Sequence, residues 1–110
     1  MTDIMYKSGD VIQLEVNQAD NVLIGYLGET GTNRRKIYSR DTDYGIQFKD
    51  VIDISHSLRA NSESLLLTGI NFTSVGNICF KILVNDVEVA CVSENLPENS
   101  SRSWEFSIIS

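Results

Sequence analysis

Apolar and polar residues alternate along most of the chain with a period of two, the spacing of side chains on a β-strand. In Val11–Val16, Ile12, Leu14 and Val16 fall on one side and Gln13 and Glu15 on the other, directly after the turn residues Ser8-Gly9-Asp10. Asn21–Leu27 is apolar on both sides (Val22, Leu23, Ile24, Tyr26, Leu27), the pattern of a central strand covered twice. Gly28 to Asn33 is a loop by composition. Lys36–Ser39, Tyr44–Phe48 and Val51–Ser55 read as shorter strands, and Leu65–Ile70 as a buried run before a loop through Asn71, Ser74 and Gly76. Helical spacing occurs only in Asp50–Asn61, where Val51, Ile54 and Leu58 share helical offsets while Ile52 and Ile54 alternate. That segment reads as a strand running into a loop, or as a single helical turn.

The strongest local pattern runs from Ile78 to Val92. Asn85-Asp86 separates two alternating runs, and both residues tolerate the positive φ of a two-residue hairpin turn. An unbroken register sets Val84 against Val87, Ile82 against Val89 and Phe80 against Cys91 on a core face. Cys79 then lies on the other face, across from Val92, so the cysteines do not pair without a bulge or a different turn. Glu94 to Ser103 reads as a polar loop, and Trp104, Phe106 and Ile108 alternate in a closing strand. Eight or nine short strands in 110 residues, without a repeat or a linker, predict one all-β domain over 1–110. The predicted architecture is a single antiparallel β-sandwich, jelly-roll or immunoglobulin-like, with an open barrel as the structural alternative.

Composition agrees with this assignment. Ile and Val together number 21 against 3 Ala, a skew toward side chains that suit a pleated surface. Two cysteines are too few for a disulfide scaffold. No apolar run approaches the ~20 residues of a membrane helix, and the first fifteen residues carry acids where a signal peptide has an apolar core. The expectation is a soluble domain without membrane insertion, cytoplasmic or released without a recognisable signal peptide. A net charge of −6 argues against nucleic acid, whose backbone is bound by displacing counterions with Lys and Arg. The acidic balance nevertheless hides a basic island, Arg34-Arg35-Lys36 with Arg40, beside Tyr38 and Tyr44. It reads either as a site for an anionic partner or as a charged strand edge guarding against aggregation.

Candidate chemistry is sparse. His56 between Ser55 and Ser57 could act as a general base beside a serine, but no Gly-x-Ser-x-Gly elbow is present and an exposed loop histidine is the plainer reading. Cys79 and Cys91 lack metal-ligand spacing and read as buried free thiols. Asp41-Thr42-Asp43 is the densest oxygen cluster and could contribute to a calcium site, whereas Asp50 and Asp53 read as solvated strand-edge residues. The sequons at Asn71 and Asn99 read as accidental in an asparagine- and serine-rich chain. No phosphate loop or paired-carboxylate signature is visible, so the chain is expected not to be an enzyme. An enzyme would require a concave pocket holding His56 or two facing carboxylates.

Two stretches carry a resemblance. Ser8-Gly9-Asp10-Val11-Ile12 at one end, and Leu83-Val84-Asn85-Asp86-Val87 with Asn99-Ser100 and Trp104-Glu105-Phe106 at the other, resemble the small bacterial jelly-roll galactophilic lectins over about a third of the chain. That resemblance implies calcium as a cofactor between an acidic turn and a following Asn loop, where Asp86 and Asn99 match in kind. The intervening segment is longer here and contains the strand Val87–Val92. Leu67-Thr68-Gly69-Ile70-Asn71-Phe72 and Val87-Glu88-Val89-Ala90-Cys91 are similar to immunoglobulin-like IPT/TIG domains in the C-terminal half.

The expected function is a binding module that takes a glycan on loops at one end of the sandwich. Tyr38, Asp41, Asp43, Tyr44, Asn99 and Trp104 are the candidate contacts, supplying hydroxyl-pairing groups and a stacking ring. Trp104 reads equally as a core residue, since it alternates with Phe106. The alternative is a protein-interaction or assembly module, such as a viral or phage accessory protein, an immunity protein or an inhibitor, whose partner is a protein surface or a further copy in a homo-oligomer.

Overall fold

In the computed structural model, which describes residues 2–29, 34–72 and 74–110, nine strands form two packed sheets. The strands are β1 (Thr2–Met5), β2 (Ile12–Ala19), β3 (Asn21–Gly28), β4 (Arg35–Thr42), β5 (Asp50–Asp53), β6 (Ser62–Asn71), β7 (Gly76–Val84), β8 (Val87–Leu96) and β9 (Ser100–Ile109). One sheet runs β1-β9-β6-β3-β4 and the other β5-β2-β7-β8. The predicted β-sandwich is therefore the fold. All strand pairs are antiparallel except β1 with β9.

The period-two pattern becomes the core. Ile12, Leu14 and Val16 of β2 and Ile78, Phe80 and Ile82 of β7 point inward from one sheet. Leu23 and Leu27 of β3, Leu65 and Leu67 of β6, and Phe106 and Ile108 of β9 meet them from the other. The apolar outer side of β3 is only half-buried, because no further layer of the described residues covers it. Its flanking strands shield it instead.

Two local expectations are corrected and a third is met in both its forms. Tyr44–Phe48 is a turn and loop rather than a strand: Gly45 has φ +74°, and the Tyr44 hydroxyl is drawn back across the sandwich end. The polar segment after Glu94 is mostly strand, leaving only Pro97–Asn99 between β8 and β9. Asp50–Asn61 combines both readings, a strand β5 followed by one 3-10 turn at Ser55–Ser57. Strand β1 carries too short a pattern to announce itself. Most of the predicted Gly28–Asn33 loop, residues 30–33, lies outside the described residues.

The β7–β8 hairpin turns on Asn85 (φ +50°) and Asp86 (φ +65°), as their tolerance of positive φ predicts, and Val84 faces Val87. Beyond that rung the expected register fails. Leu83 pairs with Glu88 and Ile82 with Ala90, so Val89 is an extra residue, a β-bulge. Ala90 and Val92 then turn inward, and Phe80 opposes Val92 rather than Cys91. Cys91 opposes Lys81 and Cys79 opposes Ser93, which puts both free thiols on the outer face, two rungs apart, Cys79 half-buried and Cys91 exposed rather than buried as expected.

Candidate functional site

Alternating strand directions sort the connections into two ends. The β2–β3, β4–β5, β6–β7 and β8–β9 connections gather at one end, and the β1–β2, β5–β6 and β7–β8 connections at the other. At the first end the loops are bound together by a polar network that sequence reading did not detect. Asp20 is buried and accepts the Gly45 and Asn77 amides at 3.1 and 2.8 Å and the Gln18 side chain at 3.2 Å. Asn71 is also buried, and its Nδ2 donates to the carbonyls of Ser74, Leu96 and Pro97 at 2.6 to 3.0 Å. Oδ1 of Asn71 and Oδ1 of Asn21 both lie 2.7 Å from the Tyr44 hydroxyl, which shares one proton between them. Asn21 also accepts the Phe72 amide at 2.7 Å. Four connections are thus tied to one another without relying on backbone ladders. Within this network the buried Asp20 and Asn71 side chains have their partners, as burial requires.

This network presents Phe72. Its side chain is 55% exposed, and with Asn99, Ser100 and Ser101 it lines a shallow recess of about 220 Å³. Ile46 and Val75, on neighbouring loops, are 48% and 63% exposed. Asn99 adopts φ +55° at the tip of the β8–β9 turn, where Ser100 Oγ donates to the Pro97 carbonyl at 2.6 Å. The sequence did not single out Phe72 for binding, because only its place after the network's Asn71 separates it from a core phenylalanine.

The candidate residues divide. Asn99 and Tyr44 belong to this end, Asn99 at its surface and Tyr44 within its scaffold. Asp41 and Asp43 are exposed near the end of β4, and β4 lies three strands, about 14 Å, from β9, so they do not join Asn99. Tyr38 is buried against Gly25, and its hydroxyl donates to Asp50 at 2.8 Å. Burial, then the Asp50 carboxylate, push its phenol well above the ordinary value. Trp104 is half-buried, edge-on to Phe80 with ring centres 5.5 Å apart, and its indole N–H donates to Glu94 at 2.5 Å. Its ring packs against the core and also lines a shallow recess of about 320 Å³ with Val89–Val92, in the middle of the sheets and away from the Asn99 loops. Asp86 and Asn99 sit at opposite ends of β8, about 30 Å apart, and cannot ligate one ion. Among the described residues no group of three or more His, Cys, Asp or Glu is placed to hold a metal.

Three of the four basic residues of the island are paired with carboxylates from elsewhere. Arg34 pairs with Glu105 at 3.0 Å, Arg35 with buried Glu63 at 3.1 Å, and Arg40 with Asp50 at 2.8 Å. Arg40 also lies over the Phe48 ring, 3.8 Å from its centre. Burial raises the Asp50 carboxyl, but the Tyr38 and Arg40 hydrogen bonds outweigh it and hold the group below its ordinary range. Asp50 is therefore a bonded, half-buried residue and not a solvated one. Asp53 likewise accepts from the Ser55 hydroxyl and amide.

His56 does enter a concavity. A pocket of about 450 Å³ lies at the second end, between Tyr6–Val11 and the 55–61 segment, and His56 is on its wall. The imidazole is 88% exposed with Nε2 3.4 Å from Asp53, while the Ser55 hydroxyl bonds Asp53 and not the imidazole. That arrangement lacks the nucleophile-to-base hydrogen bond of a serine triad.

Fold and geometry together define a class: a two-sheet β-sandwich whose loops form an aromatic recess at one end and a polar pocket at the other. Comparison with protein-family models, with curated protein sequences and with solved structures returned no match. No helix is long and apolar enough to cross a membrane among the described residues.

Proposed function

We propose that the protein is a non-catalytic binding module that takes a carbohydrate on the loops at the Asn99 end. The observation that carries this reading is the open ring of Phe72 beside Asn99 and Ser101. A sugar ring has an apolar C–H face and a rim of hydroxyls, and an aromatic face flanked by amide and hydroxyl groups complements both. The Phe72 backbone is held by Asn21 within the buried network, so part of the ordering cost of binding is met in folding. Of the six residues expected from sequence, Asn99 makes direct contact in this reading and Tyr44 positions the loops. A glycan array probed with and without calcium tests it. Binding by the native protein and none by Phe72→Ala is the expected result; no binding in either condition contradicts it.

A second reading rests on the same end. Ile46, Phe72 and Val75 together expose three large apolar side chains on adjoining loops, a composition suited to a protein surface. Sedimentation velocity at micromolar concentration distinguishes it. Self-association that Phe72→Ser abolishes, without any saccharide bound, favours a homo-oligomer.

A further inference from the structure

We infer that the pocket at the second end is a separate site for a small oxyanion, a phosphate, sulfate or carboxylate group carried on a compact molecule. The pocket's volume, about 450 Å³, falls in the range of small-molecule sites. Its wall carries Lys7, His56 and Arg59 against a single carboxylate, Asp10, in a protein of net charge −6. Asp10 is already engaged: one oxygen accepts the Lys7 amide at 2.8 Å and the other the Asn85 side chain at 2.9 Å. Two acids behind the wall, Asp53 and Glu63, are also taken. Asp53 serves Ser55 and His56, and Glu63 is bonded by Arg35 and by the Arg59 and Ala60 amides.

The Arg59 guanidinium, by contrast, has no hydrogen-bond or ion-pair partner among the described residues, and its backbone is fixed by Glu63. Ser8, Ser55 and Asn61 add neutral hydrogen-bonding groups to the same wall, with Tyr6 and Leu58 as its apolar part. The Tyr6–Val11 side is anchored to the β7–β8 hairpin. Asn85 Oδ1 accepts the Val11 amide at 2.9 Å, and the Asn85 amide donates to the Val11 carbonyl at 2.8 Å. A held wall bearing the unpaired Arg59 guanidinium, with the Lys7 ammonium facing only the already engaged Asp10, suits a compact anion, to which Arg offers a planar fork of donors and Lys a point charge.

The test is an amide chemical-shift titration of the native protein with sodium phosphate, sodium sulfate and sodium citrate in turn, against sodium chloride at matched ionic strength. Saturable shifts at Gly9, Asn61 and neighbouring amides with at least one oxyanion, and none with chloride, are expected; the three arms identify the preferred group. Arg59→Gln should weaken that binding by about tenfold or more, the loss expected for a charge-assisted hydrogen bond. Lys7→Gln should weaken it as well. Absence of saturable shifts with all three oxyanions, or equal affinity in the Arg59→Gln, Lys7→Gln double variant, overturns the inference. Neither substitution touches a buried group, and an unchanged amide spectrum in the free variants confirms that they fold.

Discussion

The Tyr44 hydroxyl lies 2.7 Å from Oδ1 of the buried Asn71, and this contact joins the β4–β5 loop to the end of β6. Everything placed at the Phe72 end depends on that junction. Asn71 also holds the β6–β7 and β8–β9 connections through three carbonyls, and Gly76 packs directly on it. Asn71→Asp replaces a donor by a carboxylate facing those carbonyls and is expected to destabilise the fold by about 3 kcal/mol or more. Gly76→Ala places a methyl group 2.9 Å from Asn71 Oδ1 and should also destabilise. Tyr44→Phe removes the bridging hydroxyl but keeps the ring and should cost about 1–2 kcal/mol. Urea denaturation of the three variants checks the ranking.

Stability should fall on both sides of neutrality. Asp50, Asp53 and Glu15 are held below their ordinary values of 3.8, 3.8 and 4.5. For Glu15, burial opposes this shift but Lys81, Asn17 and Lys49 outweigh it. A carboxyl with a depressed folded value contributes stability above its unfolded value, and that contribution is lost as pH falls through the folded value. The acid limb should therefore begin near pH 4 and steepen below. Tyr38 and Lys81 shift the other way, Tyr38 by burial and Lys81 by its bond to Glu15. Their contributions persist below the unfolded values of 10.0 and 10.5 and fade above them. Urea midpoints from pH 3 to pH 11 should show both limbs, with the alkaline limb shallower in Tyr38→Phe.

The two thiols should stay unlinked. Cys79 and Cys91 share a face through the Val89 bulge but occupy diagonal positions, where residues are ~7–8 Å apart and their Cβ atoms somewhat less, against the ~3.5–4.5 Å between the Cβ atoms of a disulfide. Burial, with help from Glu88 and Cys79, raises the Cys91 thiol and so lowers its thiolate fraction. Thiol titration at neutral pH should find two free thiols, and a reducing agent should leave the melting temperature unchanged. A melting temperature that falls on reduction would contradict the register.

Much of this fold was legible because it is local. Period two in β2, β7 and β9 named the core, and Asn85-Asp86 named its turn from φ tolerance alone. The bulge at Val89 was hidden, since one extra valine in a run of β-formers leaves the composition unchanged while inverting every later side chain. The Tyr44–Phe48 strand failed for a tertiary reason, the capture of Tyr44 by two distant asparagines. The site was less legible than the fold. Asn99 could be picked out as a loop asparagine, but Trp104 and Tyr38 have the same local pattern whether they face a ligand or the core. The partners of Arg34, Arg35 and Arg40 lie 10 to 71 residues away, beyond any motif.

Chelation should leave saccharide binding unaffected. Asp86 and Asn99, the pair that the lectin resemblance singled out for calcium, are separated by the length of β8. Equal binding in excess EDTA and in millimolar calcium is the expected result, read on the same glycan surface; a requirement for calcium would show that other oxygens assemble a site.

The most direct test is amide chemical-shift mapping with the strongest saccharide from the array. Saturable shifts should cluster at Asn71, Phe72 and Asn99–Ser101, leave the Trp104 indole N–H unmoved, and disappear in Phe72→Ala while the rest of that variant's spectrum stays native. Shifts centred on Trp104, Tyr38 or the Tyr6–Val11 pocket, or binding that survives Phe72→Ala, would contradict the account.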